Sequence, residues 1–329
     1  MNAHSDHGPL AGGLHAADAA ALTTAATRLS VAMAVVLVGV KAYGWIVSGS
    51  VGMMASLGDS FLDLVAALTT FFAVRYAIEP PDAEHRFGHG KAEAFASLVQ
   101  AGLVFASGAL IGREAFVHIL HPQPVGMELL GMAIMVGSTL AVGALVWVQT
   151  GVLAKTGSVA VHGDRAHYLA DIVCNVSALI GLIGSLLFHQ PIIDALAGLF
   201  VAGWLIWGAV GVFREAANQL MDKELGETER DMIKRLAKED PRVLGVHQLR
   251  SRAAGPFIHL QMHMDLEPSL TLEQAHQVMV AAERRILTAF PAADVLIHPD
   301  PSGRAEPHGG AFPEHHEASD PGTGMVSLH

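Results

Sequence analysis

Residues 52–78 read GMMASLGDSFLDLVAALTTFFAVRYAI, an apolar run that holds two aspartates, at 59 and 63, and whose one cation is Arg75 near its end. A stretch of this length exceeds the roughly 20 residues that cross a bilayer core as a helix. Comparable runs occupy 29–49, 94–119, 127–150, 166–189 and 192–213, so the sequence predicts six crossings. Composition agrees: hydrophobic residues make up 51% of the 329 positions and charged residues only 16%, against roughly a quarter in a soluble domain. The deficit is local, with 21 charged residues among positions 1–213 and 30 among the remaining 116. The expected organisation is a polar tail over 1–26, a six-helix membrane body over 27–213, a cytoplasmic α+β domain over 214–301, and a disordered histidine-containing tail over 302–329.

Met1 to Thr27 contains no Lys or Arg, so it lacks the basic region of a cleavable signal, and the first apolar segment is expected to stay. Six crossings put both termini on one side. Arg28, Arg75, Arg86, Lys91, Lys155, Arg165, Arg214 and Lys223 all fall on that side, while the loops near Gly49, His121 and His189 carry no Lys or Arg. The positive-inside bias therefore predicts cytoplasmic termini. A net charge of −11 argues against nucleic acid as a partner, and a single cysteine, Cys174, excludes a disulfide framework or a Cys-rich zinc module. Cys174 reads as packing in an apolar helix.

An ionised side chain at a helix centre in the bilayer costs at least ~2.5 kcal/mol, so each one asks for a reason. Asp59 and Asp63 are four apart, and so are His167 and Asp171. Positions i and i+4 share a helix face. Either pair alone reads equally well as a solvated helix end. Two pairs of the same spacing, on helices able to pack together, read as three carboxylates and an imidazole around a divalent cation. Four such ligands suit tetrahedral zinc, and the imidazole argues against calcium or magnesium. Lys41, Arg113 with Glu114, and Asp194 read as snorkelling, paired or near span ends.

Asp82, His85 and His89 lie within eight residues of one loop, where Gly88 and Gly90 permit a tight turn. A polar cytoplasmic loop would look much the same. Beyond Arg214 the pattern predicts a helix at 227–238, strands at 243–252 and 257–266, a helix at 271–290 and a strand at 293–298, an α-β-β-α-β order. On the second strand Ile258, Leu260, Met262 and Met264 alternate with His259, Gln261 and His263. His247, His276, His298 and Asp300 add ligand chemistry nearby in sequence. The tail histidines, among them His4, His7, His15, His308, His315 and His316, fit weak metal buffering or an inert tail equally.

These motifs, in this order and on six spans, resemble a bacterial cation diffusion facilitator, most like the FieF-type zinc and ferrous-iron efflux subgroup. The resemblance spans about residues 25–301 and rests on Asp59-Ser-Phe-Leu-Asp63, Asp82-Ala-Glu-His85, Phe87-Gly-His-Gly-Lys91, His167-Tyr-Leu-Ala-Asp171 and Val295-Leu-Ile-His-Pro-Asp300. It implies a homodimer in the bacterial inner membrane that exports Zn²⁺ or Fe²⁺, with Cd²⁺ as a further cargo, in exchange for protons, with metal as both substrate and regulatory ligand and no organic cofactor. It places the transport site at Asp59, Asp63, His167 and Asp171, a second site at Asp82, His85 and His89, and a regulatory site at His247, His276, His298 and Asp300. The family pattern wants a histidine on the second strand, where Gln261 is read at the position; His259 or His263 would substitute. Lys91 and Asp222 are implied as a salt bridge tying membrane and soluble parts at the dimer interface. A uniporter or channel with the same site, and a membrane-tethered metal sensor, are the rival readings. An intramembrane zinc hydrolase is disfavoured, because the chain lacks His-Glu-x-x-His and no ligand position is left open.

Overall fold

A computed structural model describes residues 14–49, 51–120, 129–188 and 192–304. Its helices are α1 (Ala16–Ser48), α2 (Val51–Ala77), α3 (Ala92–Leu120), α4 (Leu129–Thr156), α5 (Val159–Phe188) and α6 (Ile192–Leu220), then α7 (Glu227–Ala237) and α8 (Leu272–Ala289). The strands are β1 (Val243–Ala254), β2 (Phe257–Leu266) and β3 (Ala293–Pro301). Two compact units result: the chain up to Lys223 together with Ala253–Phe257, and Glu224–Arg252 with the chain from Ile258. The tail histidines His4, His7, His308, His315 and His316 lie outside the described residues.

This is a multi-pass α-helical membrane protein with a C-terminal α+β domain. Among the described residues, helices α1, α2, α3, α4 and α6 are each long and apolar enough to cross a bilayer; α5 is the sixth helix of the bundle and carries His167 and Asp171. The outer surface is apolar, with Trp147, Phe200 and Trp207 each at least 75% exposed, as a helix bundle solvated by lipid requires. Several helices run beyond their predicted limits, α4 to Thr156 and α6 to Leu220 among them. Helix α1 begins at Ala16 because the Ala-rich segment over 16–26, expected as polar tail, has high helix propensity. It ends at Gly49, whose φ of 61° lets its N–H bond the Trp45 carbonyl at 2.8 Å. Helix α5 begins at Val159, seven residues before its predicted start, and takes in His162, Asp164 and Arg165.

The interior of the bundle is organised around α5. On one side Tyr168 packs with Leu37, Val142, Leu145 and Val146 from α1 and α4. On the other, Ala170 packs with Val104, Val201, Leu205 and Ala209 from α3 and α6. Cys174 borders this second cluster, as an apolar packing residue should. Helices α3 and α6 approach closely over small residues: Gly108 and Gly112, four apart on α3, meet Ala202 and Leu205 of α6, and Gly198 of α6 meets Ala115. Small side chains let membrane helices gain contact without relying on water.

In the second unit the sheet order is β1-β2-β3, and β2 runs parallel to β3 with His263 opposite His298 and Asp265 opposite Asp300. Ile258, Leu260, Met262, Met264 and Leu266 of β2 are buried with Val278, Ala282 and Ile286 of α8 and Ile233 of α7. Thr271 caps α8 in a reciprocal box with Gln274, the third helical position being the one within reach of the cap.

A Cβ on Gly108 would lie 3.1 Å from Ile206 and 3.2 Å from Leu205, whereas one on Gly102 would meet nothing within 4 Å. Gly108→Val should therefore lower the thermal midpoint in detergent, a cost of about 1–3 kcal/mol for overpacking. Gly102→Ala should leave it unchanged or raise it; equal effects would remove this packing account.

Candidate metal centres

Three groups of potential ligands converge among the described residues, each with ligand atoms within 4.8 Å of one another: Asp63, His167 and Asp171; Asp82, His85 and His89; and His247, His263 and Asp300. The first lies inside the bundle. Nε2 of His167 is 3.0 Å from Oδ1 of Asp63, joining α5 to α2, and His167 is buried. Two carboxylates this close in a partly desolvated site repel by roughly 3 kcal/mol at an effective dielectric of about 20. Positive charge, as a metal ion or as protons, removes that repulsion. Asp59, one turn from Asp63 on α2, stays exposed and outside the group. Of the four residues read from the spacing, three come together here, with Asp63 rather than Asp59 meeting His167 of α5.

The second group sits on the turn between α2 and α3. Oδ1 of Asp82 accepts the backbone N–H of Glu84 at 2.9 Å and of His85 at 2.6 Å, and Oδ2 lies 3.3 Å from Nε2 of His89. The backbone N–H of His85, then that of Glu84, holds the Asp82 carboxyl below the usual carboxylate range, so it stays ionised and available to a cation. His89 is buried, with Nδ1 3.4 Å from the Glu79 carbonyl. A proton on that nitrogen leaves Nε2 facing Asp82 as an acceptor, the arrangement a ligating histidine needs. Gly88 makes the turn with a φ of 79° and Gly90 does not take that conformation.

The third group belongs to the sheet. Oδ2 of Asp300 is 2.8 Å from Nδ1 of His263 and 3.4 Å from Nε2 of His247; Oδ1 is 3.5 Å from Nε2 of His298. His298 stacks near His263, with ring centroids 4.8 Å apart, and Asp265 is 3.6 Å from His247. Gln248, next to His247, has a φ of 48°, a local break in β1 of the kind that re-aims a neighbouring side chain. The parallel register resolves the open position on β2: Gln261 faces Leu296 and is exposed, and His263 faces His298. His259 pairs instead with Asp294 at 3.2 Å. Of the three polar candidates on β2, His263 is the one that joins His247 and Asp300. His276 is exposed on α8 and outside the group.

Lys91 meets both partners offered by the end of α6, Asp222 at 2.9 Å and the Leu220 carbonyl at 3.2 Å. A cation at a helix C-terminus is favoured by the helix dipole, and this one pins the start of α3 to the end of α6.

Residues 27–221 match the profile of the cation efflux transmembrane domain, and residues 225–302 that of the cation efflux protein cytoplasmic domain. The chain belongs to the cation efflux family. Among its relatives, the cation-efflux pump FieF of Shewanella oneidensis is 40% identical over 84% of this chain and 93% of its own. FieF proteins of Cronobacter sakazakii and Yersinia enterocolitica are 36% and 37% identical, covering 85% and 86% of this chain and 93% and 94% of theirs. This cation efflux protein is a bacterial membrane transporter of divalent metal cations, and its family is one of transporters rather than enzymes.

One further residue joins the interior: Asp164, two residues before the predicted span 166–189, lies within α5 and is 1% exposed. The signal was available: 164, 167 and 171 have i, i+3, i+7 spacing, a single helical stripe.

In the cytoplasmic domain of the cation efflux protein, His263→Ala should weaken Zn²⁺ binding about 10-fold or more, as loss of a ligand or its supporting partner does, and Gln261→Ala should leave it unchanged. Titration calorimetry on the full chain separates the two, and the reverse order would return Gln261 to the site.

Proposed function

We propose that the protein exports Zn²⁺ or Fe²⁺, with Cd²⁺ as a further cargo, as a metal/proton antiporter working by alternating access. The observation that carries this reading is the meeting of Asp63, His167 and Asp171 between α2 and α5 inside the bundle. Imidazole and carboxylate ligands bind these metals, and the same groups bind protons, so one site can hold either cargo but not both. Metal enters from the cytoplasmic side as protons leave, the bundle rocks, and protons from outside compete for His167 and the carboxylates and release the metal. An imidazole can hold either a metal ion or a proton on the same nitrogen, which suits His167 to the exchange. Asp59 joins the set in a state that turns α2 by a fraction of a turn.

The functional unit is a homodimer with both termini in the cytoplasm. Asp82, His85 and His89 form a second metal site on a cytoplasmic loop. His247, His263, His298 and Asp300 form a regulatory site, whose loading neutralises acidic surface and favours closure of the two cytoplasmic domains. His276, exposed and outside the intrachain cluster, is left for a contact between copies.

The test is metal uptake into proteoliposomes with and without an imposed proton gradient. Gradient-driven accumulation of Zn²⁺ or Fe²⁺, abolished in Asp63→Ala, is expected. Flux that only follows the metal's own gradient would make the protein a uniporter. Binding without flux, in tight and correctly oriented vesicles, would make it a sensor. His167→Ala should weaken metal binding and flatten the pH dependence of transport; a pH profile identical to wild type would take the proton from His167.

A further inference from the structure

Asp164 is a buried carboxylate that the transport site does not use. Oδ2 accepts the Ser30 hydroxyl of α1 at 2.6 Å and the Gln149 amide of α4 at 2.7 Å, and Oδ1 faces the Gln100 amide of α3 at 3.4 Å. Gln149 also donates to Ser30 at 3.1 Å, and Gln100 to Thr70 of α2 at 2.9 Å. The network thus joins α1 to α5 through one point. Gly163 makes room for it: a Cβ there would lie 2.8 Å from Ser97 Oγ and 3.3 Å from Gln100 Cβ. One residue after His167, the Tyr168 hydroxyl donates to the Ser30 carbonyl at 3.2 Å. His167 is therefore bracketed on α5 by Asp164 and Tyr168, and both are tied to the same residue of α1.

A buried polar network of this kind gives little net stability compared with apolar side chains of the same shape, but it fixes one arrangement against its neighbours. We propose that Asp164 is a positioning residue for metal binding: by drawing Ser30, Gln100 and Gln149 to one place, it sets the rotation of α5 and hence the distance of His167 and Asp171 from Asp63. Rotation of α5 by a few tens of degrees would carry both ligands off α2. The inference rests on the reading of Asp63, His167 and Asp171 as the transport site.

The experiment uses the full chain in a His85→Ala, His263→Ala background, which disables the other two clusters, and follows Co²⁺ binding by its visible absorption together with thermal unfolding. Asp164→Asn keeps the shape but replaces an acceptor oxygen with a donor. It should weaken Co²⁺ binding about 10-fold, the cost of losing an outer partner of a metal site, and shift the absorption bands. Ser30→Ala, which leaves the Tyr168 bond to the backbone intact, should give a smaller change in the same direction, and it carries the test should Asp164→Asn fail to fold. Wild-type affinity and spectrum in folded Asp164→Asn, or in folded Ser30→Ala where Asp164→Asn does not fold, would overturn the inference even if the thermal midpoint fell, because the role would then be structural alone. Asp63→Ala distinguishes the other failure: binding retained there would mean that the transport site is misassigned and that Asp164 has no site to position.

Discussion

Two carboxylates and an imidazole held together in a lipid-solvated bundle are the constraint on which the rest depends. Asp63, His167 and Asp171 have too little water around them to be left with unopposed negative charge. The site is therefore at ease only with a cation, and divalent metal and protons are the cations on offer. The proposed exchange of one for the other draws on the site's own electrostatics and asks for no separate coupling device.

Holding that site requires a rigid frame, and the bundle supplies it from residues that otherwise sit badly in a membrane. Helix α5 is wrapped by apolar clusters on two sides and pinned by Asp164 and Tyr168 to Ser30. Glu93, also buried, accepts the Ser158 hydroxyl at 2.5 Å at the start of α5. Lys91 binds the end of α6. Small residues then let α3 and α6 close on each other. Polar groups fix the rotation and depth of the helices, and the apolar residues fill what lies between.

Hydrophobic run length, together with the i, i+4 pairs, made most of this legible before any coordinates. The six helices and the α-β-β-α-β order follow from periodicity. What escaped depends on partners distant in sequence. Asp164 lies just outside the predicted span 166–189, and its burial is made tolerable by partners such as Ser30 and Gln149, 134 and 15 residues away. Asp59 looked equivalent to Asp63, but α5 meets only one side of α2. On β2 the alternation put His259, Gln261 and His263 on one face, and the choice among them belongs to the register with β3, which no local pattern encodes.

Metal is proposed to sit between α2 and α5, and anomalous scattering at the zinc edge from Zn²⁺-loaded protein in lipid locates it directly. A peak is expected within bonding distance, about 2.0–2.2 Å, of His167 and of the Asp63 and Asp171 carboxylates. Peaks at the loop and in the cytoplasmic domain with none between α2 and α5, under conditions that saturate transport, would contradict it.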